Sequence, residues 1–287
     1  MNIDHQRSAT KLRIARGLAG AAFLLLAASP VPALAQILGT AASFGVLGAT
    51  PSVTNTGASV IAGSVGVWPA ASITGFPPGL VVAGTGALHA GDATAQQAQT
   101  DLTAAYLTLA GLASAPIAPG LGGQTLTPGV YNAGAANLTG TLTLNGPGLY
   151  VIQATALTTA SGPAASSVSL INGATPCDIW WQIGSSAAIG TFSAMQGNVL
   201  ALTSITLGTS ATLQGRALAR NGTVTMDTNA VTACSGGTAA GFGVSFVGAG
   251  GLPPGAAPAP TLSEWAMIML AALLAVAGLA AMRRRAR

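Results

Sequence analysis

Between Gln36 and Pro260, few side chains can move a proton, attack a substrate or hold a metal. They are His89, Asp92, Asp101, Asp178, Asp227, Cys177 and Cys234, with no Lys and no Glu among them. General acid–base and metal chemistry draw on those residue types. An enzyme needs a charged pair in one cleft, and four Asp spread from Asp92 to Asp227 do not suggest one. No catalytic residues, no metal site and no cofactor are therefore expected. Cys177 and Cys234 lie 57 residues apart, where a disulfide in an exported chain would close a long loop. The adjacent Trp180 and Trp181 suggest a sugar platform, but strand alternation puts one inside and one outside, as ordinary packing does. His89 reads as a loop residue, and Arg216 and Arg220 as charges that keep a coil turn soluble. What remains in quantity is hydroxyl chemistry, with 29 Thr in this stretch.

The formal charge of +4 does not describe this region. Arg7, Lys11, Arg13 and Arg16 lie at one end, and Arg283, Arg284, Arg285 and Arg287 at the other. The stretch between holds Arg216 and Arg220 against four aspartates. Nucleic-acid binding requires a basic stripe that releases counterions from phosphate, so that class is excluded. At the start, a basic stretch, an apolar run from Leu18 to Ala28 and Ala33-Leu34-Ala35 form a secretory signal peptide over 1–35, cut by signal peptidase before Gln36. Residues 235–259 read as a Gly-, Pro- and Ala-rich spacer. Near the end, residues 266–282 are long enough to span a bilayer at the lower limit, and the arginines after them hold that end inside.

That tail, Pro260-Thr261-Leu262-Ser263-Glu264-Trp265 followed by the apolar run and arginines, resembles the IPTL-type C-terminal sorting signals of Gram-negative bacteria, with Ala259 in place of the usual Ile. The resemblance implies an exosortase-like membrane protease as a partner and an extracellular or cell-surface location, with transient or lasting membrane anchorage over 260–287.

The domain of residues 36–234 must position its hydroxyls on β-structure. One helix interrupts it, at about 93–112: Asp92 is a good N-cap, and Ala95, Ala98, Leu102, Ala105, Tyr106, Leu109 and Leu112 recur every three or four residues. Elsewhere short β-like runs repeat. Gly190-Thr191, Gln196-Gly197 and Leu200-Ala201 return 18 residues later as Gly208-Thr209, Gln214-Gly215 and Leu218-Ala219. Ile205-Thr206-Leu207-Gly208-Thr209 returns after 19 as Val224-Thr225-Met226-Asp227-Thr228. Looser copies lie around Leu138–Gln153 and Val168–Ile183. A helix-free period of this length fits a three-sided β-solenoid.

An ordered set of motifs runs through the domain: Phe44-Gly45-Val46-Leu47, Gly63-Ser64-Val65-Gly66-Val67, Ile73-Thr74-Gly75-Phe76, Asp101-Leu102-Thr103-Ala104-Ala105-Tyr106, Leu126-Thr127-Pro128-Gly129-Val130-Tyr131, Leu142-Thr143-Leu144, Ile179-Trp180-Trp181-Gln182-Ile183-Gly184 and Leu213-Gln214-Gly215-Arg216-Ala217-Leu218-Ala219. Their succession resembles the secreted microbial ice-binding proteins. The resemblance implies a mainly β fold, a right-handed three-sided discontinuous β-solenoid with one long α-helix packed alongside. It also implies a flat Thr/Ser/Ala-rich side that adsorbs to an ice crystal surface and inhibits growth or recrystallisation. Stacked strands set outward hydroxyls and methyls in a rigid grid. Family members carry Thr-(Ala/Gly)-x-(Thr/Asn) steps there. Thr209-Ser210-Ala211-Thr212 and Thr56-Gly57-Ala58-Ser59 come close, while Thr191-Phe192-Ser193-Ala194 and Thr228-Asn229-Ala230-Val231 keep only the first Thr. Thr191, Thr209, Ser210, Thr212, Thr228, Thr56 and Ser59 are thus the expected ice contacts. The strands beginning at Thr191, Thr209 and Thr228 are expected to stack in register, with Thr225 on another side and with Phe192 and Val231 roughening the surface if they point outward. The alternative is a cell-envelope adhesin or matrix component that contacts exopolysaccharide.

Overall fold

A computed structural model describes residues 37–162 and 165–234. The signal peptide, the spacer and the sorting tail lie outside these residues. Twenty-two strands, β1 to β22 in chain order, and one long helix form three sides of a coil whose strands pair in parallel throughout.

The helix-side sheet runs in the order β8 (Ala115–Pro116), β10 (Gly129–Asn132), β13 (Tyr150–Ala154), β16 (Ile179–Ile183), the second halves of β18 (Ala194–Ala201) and β20 (Thr212–Ala219), then β1 (Phe44–Gly48), β4 (Ser64–Val67) and β7 (Leu88–Ala90). A second sheet is ordered β11 (Ala135–Leu138), β14 (Ala156–Thr159), β17 (Ala187–Ile189), β19 (Ile205–Leu207), β21 (Val224–Met226), β2 (Val53–Asn55) and β5 (Ile73–Thr74). The third side holds β9 (Thr125–Leu126), β12 (Thr141–Asn145), β15 (Ser167–Ile171), the first halves of β18 and β20, then β22 (Ala230–Thr232), β3 (Val60–Ala62) and β6 (Leu80–Val81). Strands β18 and β20 cross from the third side to the helix side by bending at Gly197 and Gly215, which pair with each other. Both have positive φ, and a Cβ on Gly215 would lie 1.9 Å from the Gly197 carbonyl oxygen. Only glycine fits that bend.

The chain does not climb the coil in one direction. Strands β1 to β7 form two coils, α1 (Ala93–Ala110) then runs back along the helix side, and β8 starts at the far end. Later coils stack toward the start until the last meets the first on all three sides: Val46 opposite Ala217, Val53 opposite Val224, and Val60 opposite Ala230. Eighteen helical residues reach about 27 Å at 1.5 Å per residue, long enough to lie across several strands.

Asp92 caps α1, its carboxylate accepting from the Ala95 N–H at 2.8 Å. The helix buries Ala95, Ala98, Leu102, Ala105, Tyr106 and Leu109, the periodic residues of the sequence. Side chains tie it at both ends to the sheet. The Gln99 amide donates to the carbonyls of Gly48 and Ala219, Tyr106 Oη to that of Ile183, and the Gln153 amide to those of Leu109 and Leu112.

Two apolar clusters follow from strand alternation. Trp181, Ile152, Val199 and Ala217 point into the coil, while Trp180, Val151, Leu200 and Leu218 meet the helix. Both tryptophans are buried, at 1% and 0% exposure, so the expectation of one surface aromatic is corrected. Strand β16 is covered on both faces, and alternation there selects between two interiors.

The sequence reading of Arg216 is likewise corrected. It is only 8% exposed and donates to the carbonyls of Ala42 and Cys234 and to Asn198 Oδ1. Cys177 and Cys234 form a disulfide, with Cα atoms 5.5 Å apart, beside this network. His89 lies in β7 with Nδ1 2.8 Å from Asp92 Oδ2 and its ring against Phe44.

Candidate functional site

Most of the hydroxyl residues that sequence matching selected lie at the corner between the second and third sheets. Their side chains are occupied there. Thr209 Oγ1 donates to Asp227 Oδ2 at 2.6 Å and Thr228 Oγ1 to Oδ1 at 3.0 Å. These two bonds, with Thr56 nearby, lower the Asp227 pKa below the usual carboxylate value. The corner therefore carries a charge with a hydration shell of its own. Thr191 Oγ1 accepts from the Gly162 N–H at 3.0 Å. Ser59 is fully buried, donating to Asn55 Oδ1 and accepting from the Asn229 N–H, so it has no access to an outer surface.

The backbone also turns at this corner. Phe192, Ser210 and Thr228, one coil apart, all have φ near +60° (61°, 60° and 57°). Thr228 thus aligns with Ser210 rather than with Thr209, since β20 and β22 pair Thr212 with Ala230 while β19 and β21 pair Ile205 with Val224. The corner between β21 and β22 is one residue shorter than that between β19 and β20. Val231 is buried and roughens nothing, whereas Phe192 is 61% exposed. Thr212 is exposed on the third side beside Ala194 and Ala230. That side also presents the exposed Val60 and Leu80 along with Gln196 and Gln214, so its profile is uneven.

The second sheet is different. Its central outward residues are Asn137, Thr158, Ala188, Thr206, Thr225, Thr54 and Thr74, each opposite the next in register across seven strands. The flanking inward positions are apolar: Leu157, Ile205, Val224 and Val53 are buried. Two residues before each outward residue stand Ala135, Ala156, Ser186, Ser204, Thr223, Ser52 and Ser72. The two columns form a grid of hydroxyls and methyls about 4.8 Å apart between strands and about 6.6 Å apart along them. No charged residue belongs to either column. Cross-strand contacts fix some rotamers: Thr54 Oγ1 lies 3.4 Å from Thr225 Oγ1, the Asn137 amide donates to Thr158 Oγ1, and Ser186 and Thr203 hydroxyls meet at 2.7 Å.

Sequence matching passed over this column, although the signal is present. Thr155-Ala156-Leu157-Thr158 satisfies the Thr-(Ala/Gly)-x-(Thr/Asn) step in full, and Thr203-Ser204-Ile205-Thr206 nearly does. The discriminating feature is an aliphatic third residue, which points inward and turns the second and fourth residues out. In Thr209-Ser210-Ala211-Thr212 that geometry fails because Ser210 carries the turn.

Among the described residues, no group of three or more His, Cys, Asp or Glu gathers to hold a metal, and no helix is long and apolar enough to cross a membrane. The sheet offers a surface rather than reactive groups.

Comparison with known proteins agrees with this fold. Residues 257–285 match the IPTL-CTERM motif. An ice-binding protein of Nostoc sp. (strain HG1) is 50% identical over 206 residues, covering 69% of this chain and 74% of that protein. Ice-binding protein 1 of Shewanella frigidimarina (strain NCIMB 400) is 34% identical over 241 residues, which cover 72% of this chain but 27% of that longer protein. Among solved structures, an ice-binding protein from an Antarctic biological consortium superposes with TM-score 0.63 at 44% identity, covering 68% of this chain and 89% of that one. The ice-binding protein of the Antarctic ascomycete Antarctomyces psychrotrophicus gives TM-score 0.64 at 40% identity, covering 69% and 98%. The Ice-binding-like family model matches residues 47–232, well over half of the sequence, and the chain belongs to that family.

Proposed function

We propose that this protein binds ice through the threonine column of its second sheet and thereby inhibits ice growth and recrystallisation outside the cell. The observation that carries the reading is the unbroken in-register line from Asn137 through Thr206 and Thr225 to Thr74. Uncharged hydroxyls and methyls on a rigid lattice order water without holding it in a competing shell. No covalent step is involved. The relatives named for ice binding share this domain, which supports carrying the activity over. The corner residues Thr56, Thr191, Thr209, Ser210 and Thr228 hold the edge of the sheet in shape.

Recrystallisation inhibition tests the choice of side. Thr206→Tyr raises a ring above the grid and should cut inhibition at least ten-fold, while Thr212→Tyr, on the third side, should leave it within two-fold. Both positions are exposed strand sites that accept Tyr with little change in stability.

The ends of the chain belong to delivery. Ala33-Leu34-Ala35 supports removal of 1–35 by signal peptidase, and the motif match over 257–285 supports removal of the tail by an exosortase-like protease. Mass spectrometry of the exported protein should find a start near Gln36 and no peptide beyond about Trp265. Recovery of Arg283 to Arg287 in that protein would favour a permanent membrane anchor.

A further inference from the structure

Where the helix-side strands turn toward the second sheet, three stacked coils and the first half of α1 enclose a cavity of about 450 Å³. Thr50 follows β1, Trp68 follows β4 and Asn221 follows β20, so the cavity spans three consecutive coil corners. The helix supplies Gln99, Thr100 and Thr103. None of the second sheet's outward threonines lines it.

Two groups in this cavity are left unused by the fold. Trp68 is half-buried and belongs to neither apolar cluster. Arg220 is held by one bond, from Nε to Thr103 Oγ1 at 3.2 Å, and by stacking 5.4 Å from the Tyr106 ring centre. Its two terminal nitrogens donate to no acceptor among the described residues, and no carboxylate pairs with it there. With Arg216 buried, Arg220 is the one arginine or lysine on the described surface.

We infer that this groove binds an acidic saccharide. A uronic acid residue fits both unused groups. Its carboxylate takes the free fork of Arg220, the geometry that guanidinium matches best. The apolar face of the sugar ring covers the Trp68 indole. Thr50, Thr100 and Asn221 surround the remaining hydroxyls. A neutral glycan leaves Arg220 unpaired, and a polyphosphate needs more cations than one. The volume lies within the range of small-ligand pockets. The saccharide is held on the helix side of the corner, apart from the outward threonines, so the inference does not rest on ice binding.

Titration of the mature protein with an alginate tetramer tests this, read from tryptophan fluorescence and from the Trp68 indole N–H in NMR spectra. Cellotetraose is the neutral control. Saturable binding of the alginate tetramer is expected, at least ten-fold tighter than cellotetraose and weakened by added salt. Arg220→Gln and Trp68→Ala should each weaken it at least ten-fold. Thr100→Glu places a negative charge at an exposed helix position, and should do the same with an unchanged melting temperature and unchanged recrystallisation inhibition. No saturable binding, equal binding of the neutral tetramer, or full binding by Thr100→Glu would each overturn the inference. A wild-type protein inactive on ice that still binds the alginate tetramer would leave it intact.

Discussion

Arg216 carries its charge into the interior without a carboxylate. Burial pushes its pKa down to about 10, which still leaves it protonated at neutral pH. Carbonyls of Ala42 and Cys234 and the side chain of Asn198 accept hydrogen bonds from it, so one residue of β20 ties the start of the domain to its end. Arg216→Ala leaves the buried Asn198 Oδ1 and the part-buried carbonyls without this donor, and the loss at a buried acceptor costs about 1–3 kcal/mol. Denaturant unfolding should show a drop of at least that size, and Arg216→Lys should recover part of it. An unchanged midpoint for Arg216→Ala would mean that the network is not structural. Sequence alone put this arginine on the surface because it stands four residues from Arg220 near a coil turn; nothing local marks the N-terminal segment that covers it. The same scale explains why the corner threonines looked like a site. They match the family step in composition, but a left-handed residue in the middle redirects the side chains, and φ is not written in residue type except at glycine.

At the scale of elements, α1 was legible because a 3.6-residue period and an Asp cap are both local signals. Its packing partner was legible only through the family resemblance, which places the helix alongside the coils. Leu102 and Leu109 have no exposure and lie against the helix-side strands. Truncating a buried Leu to Ala costs about 2–5 kcal/mol. Leu102→Ala and Leu109→Ala should therefore both lower the melting temperature clearly. Leu107, 57% exposed on the opposite side of the same helix, is the control, and Leu107→Ala should stay within about 0.5 kcal/mol. Equal effects at all three would mean that the helix is not docked. Coil periodicity was legible where offsets are 18 and 19, between β18 and β22. It fades in earlier coils, where β13 and β16 pair Tyr150 with Ile179 and the intervening loop hides the repeat. Trp180 and Trp181 show the limit of alternation: it predicts which residues face apart but not what each side meets.

The whole molecule is a stack whose last coil closes on its first, and the Cys177–Cys234 bond secures the end of that last coil. Closing a 57-residue loop should contribute about 4 kcal/mol by the chain-entropy estimate. Cys177→Ser with Cys234→Ser should lower stability by a few kcal/mol while preserving the grid, and hence ice activity below the melting transition. Closure matters for function because β2 and β5, from the first coils, extend the threonine column beyond β21 of the last. Thr54 and Thr74 join a surface whose adjoining residue, Thr225, stands more than a hundred positions later in the chain. That surface is the central claim, and partition into ice reads it most directly. A polycrystalline ice hemisphere grown slowly from a solution of the protein should take up wild type and Thr212→Tyr, and leave Thr206→Tyr and Thr225→Tyr in the liquid. Exclusion of the wild type, or uptake of Thr206→Tyr with exclusion of Thr212→Tyr, would contradict it.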